Sequence, residues 1–195
     1  MSIYSAPIEV FNAALIRCGE ATIAANDEGQ EANLFRGAYE PFVRAQLRVH
    51  KWSFATKTET LVYQGTTGDT PAYAYQPTAE VLLAHKCTIE SVPWTEYEIR
   101  AGKILADIKT DDIVLHYTFR ATEPEWNDDF AEGIVLHMQG LVYGALGDAQ
   151  EARRMKDEAR FLLLDALGRD LQSHKKEPRV GRHRLVDAWR GVGRA

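Results

Sequence analysis

Most of the short motifs that betray an enzyme are missing from this chain. Its five serines, Ser2, Ser5, Ser53, Ser91 and Ser173, include none in a G-x-S-x-G elbow, so the nucleophile turn of an α/β-hydrolase is not expected. Neither a G-x-x-x-x-G-K-[ST] phosphate loop nor a G-x-G-x-x-G fingerprint occurs. The one G-V-G, Gly191–Gly193, stands at the end of the chain with no room for a following helix. Cysteine is scarce too. Cys18 and Cys87 are isolated, which argues against a disulfide framework and for a reducing compartment. No apolar run approaches the ~18–20 residues that span a bilayer, so no membrane association is expected. The opening MSIYSAPIEV has no charged start leading into an apolar run, and a secretory leader is not expected.

What is present is enough apolar matter to build a core, 45% of 195 residues, and a lopsided charge. Between His174 and Ala195 seven Lys/Arg face two acids, whereas the rest of the chain carries 16 basic and 26 acidic residues. The body should therefore repel polyanions and the tail attract acidic surfaces. Such a tail suits nucleic-acid binding, a plain solvated terminus, or an arm that orders on a protein partner. The segment RHRLVDAWR favours the arm. Leu185, Val186 and Trp189 fall at helical spacing on one face, and Arg182, Arg184 and Arg190 surround them. Trp and Arg dominate interface energetics, and a pure phosphate binder has no need of a Leu-Val-Trp face.

Periodicity divides the body. Ile8, Phe11, Leu15 and Cys18 predict a helix over about 6–18, with Ser5 as N-cap and Gly19 closing it. A second helix is expected over about 30–50, buried through Phe35, Tyr39, Phe42 and Val49, with a kink or break near Tyr39 from Pro41. Residues 65–77 read as a loop on glycine and proline content. AEVLLAHKCTIE is rich in strand formers. EYEIR-AG-KILA reads as a hairpin turning at Ala101-Gly102, and DDIVLHYTF alternates with Ile113, Leu115, Tyr117 and Phe119 on one side. Helical period returns at Asn127, an N-cap preceded by Trp126, with a stripe of Phe130, Ile134, Met138, Leu141 and Ala145. Gly133, Gly140, Gly144 and Gly147 line up nearby and imply close helix–helix or subunit approach. A last helix from Ala149 to about Leu171 is expected to bury Ala152, Met155, Ala159, Leu162, Leu163 and Ala166. The expected fold is mainly α, a bundle of about four helices with a small antiparallel β excursion between the second and third and an extended C-terminal arm. In domain terms, residues 1–173 form one unit, with the bundle from 6–55 and 124–172 and the β-rich insertion over 56–121, and residues 174–195 form the arm.

Candidate chemistry within the body is thin. His85 and Cys87 stand two apart and would share one strand face, but no second pair at zinc spacing exists, so a buried polar pair is the better reading. Asp107, Asp111 and Asp112 lack the ligand spacing of a calcium loop and read as a solvated turn. His137 lies near the glycine stripe and reads as a packing residue. No catalytic, metal or cofactor residues are assigned, and an enzyme is the weakest of the function classes.

Several stretches, in order, resemble one family. "ALIRCGEATI" followed by "EANLFRGAYEPFVRAQLRVHKWSFAT" resembles the opening of the tail tubular protein A-like head-to-tail adaptors of short-tailed phages. The matching positions are Gly19, Ile23, Glu31-Ala32, Tyr39, Leu47 and Trp52-Ser53-Phe54-Ala55. "PAYAYQPTAEVLLAHKC", "YEIRAGKILAD…DIVLHYTF" and "PEWNDDFAEGIVLHMQGLVYGAL" resemble that family's Tyr-Pro segment, its hairpin with the following strand, and its third-helix opening. The resemblance spans residues 6–172. It departs at Cys18, where leucine is common, and at the third-helix glycines, where alanine is usual. It implies a non-enzymatic virion protein, made in the bacterial host cytoplasm and placed at the head–tail junction. Copies would form a ring, usually a dodecamer, beneath the portal protein. That ring would extend the DNA channel without binding genomic DNA specifically and would receive the tail nozzle. The C-terminal arm, with Arg182, Arg184, Leu185, Val186, Trp189 and Arg190, would insert into the portal. An acidic body suits a channel through which DNA slides. The alternative is a nucleic-acid-binding packaging or regulatory protein that uses the basic tail, against which the acidic body argues.

Overall fold

A computed structural model describes residues 2–68 and 70–173. Helix α1, Pro7–Cys18, begins with proline in its first turn and ends on Gly19 at φ 80°, the left-handed closure that glycine takes without strain. Its N-cap is Ala6 rather than Ser5. Ser5 instead donates its N–H (2.7 Å) and its hydroxyl (2.9 Å) to the Glu9 carboxylate, which holds Glu9 below its usual range. Helix α2, Gln30–Val49, runs unbroken through Pro41. The expected break is absent because Pro41 and Gly37 are both exposed, so the carbonyl deprived of its partner faces water. Its buried face is Ala32, Phe35, Tyr39, Val43 and Leu47. Val49, expected inside, is 64% exposed, since a 3.6-residue period carries it round from the stripe of Phe35, Tyr39, Val43 and Leu47.

The middle of the chain departs most from expectation. Eight strands follow: β1 Thr56–Thr60, β2 Val62–Thr66, β3 Tyr73–Gln76, β4 Val81–Ile89, β5 Val92–Trp94, β6 Tyr97–Arg100, β7 Lys103–Ala106 and β8 Ile113–Phe119. They pair antiparallel into two four-stranded sheets, ordered β1-β8-β4-β5 and β2-β3-β7-β6. One core lies between the sheets. Cys87, Ile113, Leu115 and Tyr117 reach it from the first, and Tyr75, Ile104 and Ala106 from the second. The described chain is 47% helical and 24% strand, a mixed α/β fold with a sandwich-like part, so the expectation of a mainly α bundle is corrected. The error began in residues 65–77. Half of that expected loop is strand, with Tyr63 opposite Tyr75 and Thr66 opposite Tyr73. Gly65, taken as a loop signal, sits where the β2–β3 register slips between Tyr63 and Gly65, with φ 139°, a bulge at which glycine belongs in a ladder. The hairpin at Ala101-Gly102 forms as expected, both residues at positive φ, as a two-residue turn of the primed type requires.

Helix α3, Asp128–Ala145, is capped by Asn127, whose Oδ1 accepts the Phe130 N–H at 2.7 Å. Helix α4, Ala149–Ser173, buries Ala152, Met155, Ala159, Leu163 and Ala166 as expected, with Leu162 half-buried. Ala145, expected in the α3 stripe, is exposed. The glycines act within the chain. A Cβ on Gly133 would fall 2.6 Å from Leu163 Cγ, and one on Gly140 would fall 2.9 Å from the Ala152 carbonyl oxygen. Helices α3 and α4 thus approach as antiparallel partners at a distance only glycine permits.

The bundle core gathers around Phe130. Trp52 and Trp126 meet its ring edge-on at 5.0 Å each, and Phe54 lies at 5.2 Å. Both indoles are fully buried, and each satisfies its N–H on a carbonyl, Trp52 on Gln46 at 3.0 Å and Trp126 on Ala121 at 3.1 Å. The W-x-F-A segment therefore ends α2 by planting its tryptophan in the core. Ser53 then ties that corner to α4, its N–H and hydroxyl both donating to the Asp170 carboxylate.

Candidate docking surfaces

The six arm residues singled out in the sequence, Arg182, Arg184, Leu185, Val186, Trp189 and Arg190, lie outside the described residues. What the structure does place is the chemistry of the body, and it is quiet chemistry.

His85 and Cys87 do not share a face. The register of β4 on β8 slips between Ala84 and Lys86, and the extra residue turns His85 outward, its Nε2 2.8 Å from Thr118 Oγ1. Cys87 turns inward beside Leu115 and Tyr117. A bulge reverses the side-chain alternation that a straight strand would keep. Burial pushes the Cys87 thiol up to about 11. Burial also raises Cys18, with Glu20 adding to it, so neither sulfur is an activated thiolate. His137 lies flat on Phe42, ring centroids 3.4 Å apart and planes 7° from parallel. Burial, aided by Lys156, lowers it to about 4, and at neutral pH it is an uncharged packing ring. Asp107 accepts a hydrogen bond from the Ala72 N–H at 3.2 Å, and Asp111 and Asp112 are exposed. Among the described residues no three His, Cys, Asp or Glu side chains gather as a metal site would need. No described helix is long and apolar enough to cross a membrane.

A polar clamp joins the sandwich to the bundle. Glu123, buried in a short turn before α3, accepts from Tyr39 Oη at 2.8 Å and from Arg120 at 2.7 Å. Arg120 also reaches Glu40 at 3.1–3.2 Å, and Arg44 links Glu40 to Glu80. Burial works against the Arg120 charge, but the two carboxylates outweigh it and hold the guanidinium above its ordinary value. Burial first, and Glu123 after it, raise the Tyr39 hydroxyl, which stays a donor. Sequence reasoning missed this clamp because it joins stretches up to 84 residues apart and follows no motif.

Two surface features stand out. The outer side of α4 leaves large apolar side chains bare: Phe161 at 73% exposure, with Leu164 and Leu171 about half exposed. The run Phe161-Leu162-Leu163-Leu164 offers more apolar residues than one stripe can bury, a signal legible in the sequence but not used. Among the described residues, hollows open at three places on the helical part. One of about 500 Å³ lies between α2 and α4, lined by Phe42, Val49 and Leu164 with Lys156, Arg160 and Asp157 at its edge. Another of about 270 Å³ is bounded by α1, the following loop and Arg36. The third, about 370 Å³, lies where α1, α2 and α3 meet, with apolar walls of Phe11, Leu15, Leu34, Val142 and Leu146 and the carboxylates of Glu20 and Glu31 beside them.

No protein-family model matches the chain, and no curated protein matches it.

Proposed function

We propose that this chain is a structural head-to-tail adaptor of a phage particle. Copies would ring the DNA channel beneath the portal, receive the tail nozzle or tube on the far side, and grip the portal through residues 174–195. The observation that carries the reading is the bare apolar side of α4. Phe161, Leu164 and Leu171 face solvent in the single chain, as wall residues do when neighbouring copies are meant to cover them. The ordered motifs over residues 6–172 support it, as does the contrast between an acidic body and a basic tail.

The test is electron microscopy of the protein mixed with a purified portal, paired with a pull-down of the chain cut after Glu177 and of Trp189→Ala. Loss of a buried tryptophan anchor commonly costs about 2 kcal/mol or more per copy, and a ring multiplies that loss through avidity. Both variants are expected to fold and to leave the portal. Normal retention refutes the docking role of the arm, and absence of rings on the portal refutes the adaptor reading. A nucleic-acid-binding protein predicts instead that Trp189→Ala weakens DNA binding, with a steep salt dependence.

A further inference from the structure

We propose that the hollow between α1, α2 and α3 is a seat for the chain's own basic C-terminal segment. Trp189 would fill it, and arginines of that segment would pair with Glu20 and Glu31. The proposal does not rest on the adaptor reading.

Charge selects this hollow among the three. The one between α2 and α4 presents Lys156 and Arg160 against Asp157, and the smallest presents Arg36. Both would repel a segment with seven Lys/Arg and two acids. The hollow at α1, α2 and α3 presents two carboxylates and no cation. Glu20 and Glu31 are exposed, and neither forms an ion pair with a described residue. Arginine is the side chain best matched to a waiting carboxylate. The walls suit the rest of the segment. At about 370 Å³ the hollow is lined by Phe11, Leu15, Leu34, Val142 and Leu146, within the roughly 300–1,000 Å³ of ligand sites. Trp189 is the only tryptophan outside the described residues.

Chain length permits the contact within one molecule. Helix α4 runs antiparallel to α3, with Leu163 on Gly133 and Ala152 on Gly140, so Ser173 ends beside the start of α3 while the hollow lies at its finish. The 25 residues of α4 span about 37 Å at 1.5 Å each. Trp189 is 16 residues beyond Ser173, a reach of about 53 Å when extended. A tether of this length gives an effective concentration near ~1 mM, so an intrinsic affinity of only ~0.1 mM keeps the seat about nine-tenths filled. A tail held this way is withheld from any other partner until that partner outcompetes the hollow.

The experiment uses the full chain with a benzophenone amino acid in place of Trp189, irradiated at low micromolar concentration, with cross-links mapped by mass spectrometry. Cross-links within single chains to α1, the start of α2 and the end of α3 are expected. Glu20→Lys with Glu31→Lys should weaken the seat roughly tenfold, from two lost and then reversed surface ion pairs, which leaves it about half filled and cuts the cross-link yield about twofold, while circular dichroism stays unchanged at these exposed positions. Cross-links concentrated on the α2–α4 hollow, cross-linked dimers at dilution, or a yield indifferent to the charge reversal would each overturn the proposal.

Discussion

Two glycines one turn apart on α3 should respond in opposite ways to the same substitution. In Gly140→Ala the new methyl would fall 2.9 Å from the Ala152 carbonyl oxygen and 2.9 Å from Lys156 Cγ, with the Lys156 nitrogen at 3.3 Å. Lysine can swing aside, but the α4 backbone cannot, so the helices must part. Overpacking of this kind costs about 1–3 kcal/mol, against a helix-propensity gain of at most ~1 kcal/mol. The net expectation is a loss of about 1–2 kcal/mol. In Gly144→Ala the methyl meets only Ala152 Cβ at 3.8 Å, an ordinary contact, so the propensity gain stands alone at about 0.5–1 kcal/mol. For a chain of this size each kcal/mol moves the melting temperature by about 2–4 °C. Gly140→Ala should therefore melt about 2–8 °C lower than the parent and Gly144→Ala about 1–4 °C higher. Urea midpoints should move in the same directions with unchanged slopes. If Gly140→Ala stabilises as much as Gly144→Ala does, the close approach of α3 and α4 at this point is refuted.

Trp52→Ala empties the centre of the aromatic cluster around Phe130 and should cost about 3–5 kcal/mol, read as a fall in melting temperature of order 10 °C; an unchanged melt would deny that Trp52 is buried. The turn Glu90-Ser91 holds two non-glycine residues at φ 49° and 67°, a conformation that disfavours side chains by about 1 kcal/mol each. Replacing the pair by Asn-Gly should stabilise the fold by about 1–2 kcal/mol in urea titrations; destabilisation would count against the turn. His137 titrates near 4 in the folded chain and near 6.5 when unfolded. Because its folded value is the lower one, the unfolded state binds the proton first, and stability present above pH 6.5 drains away as pH falls toward 4, by an amount of order 2–3 kcal/mol. His85 and His116, both lowered by burial and by nearby lysines, push in the same direction. His137→Phe, which keeps a ring on Phe42, should flatten the acid limb of the stability profile, and an unchanged limb would show that His137 is not its source.

Helical segments were the readable part of this sequence. The four helices stand within a few residues of their expected limits because apolar spacing, Asn127 and Gly19 all speak locally. Strands were harder, and for identifiable reasons. β2 and β3 flank a stretch dense in glycine, threonine and proline, and Gly65 serves a bulge inside a strand rather than a turn between strands. The Glu90-Ser91 turn carries no glycine to announce it. The His85–Cys87 pair illustrates a third obstacle, since a single inserted residue inverts the alternation that sequence reasoning assumes. Of the candidate surfaces, the hollow of Glu20 and Glu31 draws on three helices, and no spacing within any one of them marks it. The basic charge of the last residues, by contrast, was visible at once in composition, though those residues lie outside the described part of the chain.

Differences in shielding among the ion pairs carry a consequence for how the molecule answers ionic strength. At the joint between sandwich and bundle, the Arg120 and Glu123 side chains are only 17% and 7% exposed, so mobile counter-ions gain little access to them. Far along α4, Arg169 bridges Asp129 and Asp165 with 59% of its side chain in solvent, where screening removes most of the attraction. Raising salt should therefore loosen the far end of the α3–α4 pair well before it disturbs the angle at which the two sheets meet the helices, and brine-tolerant geometry at that joint is what the shielded Arg120–Glu123 pair supplies.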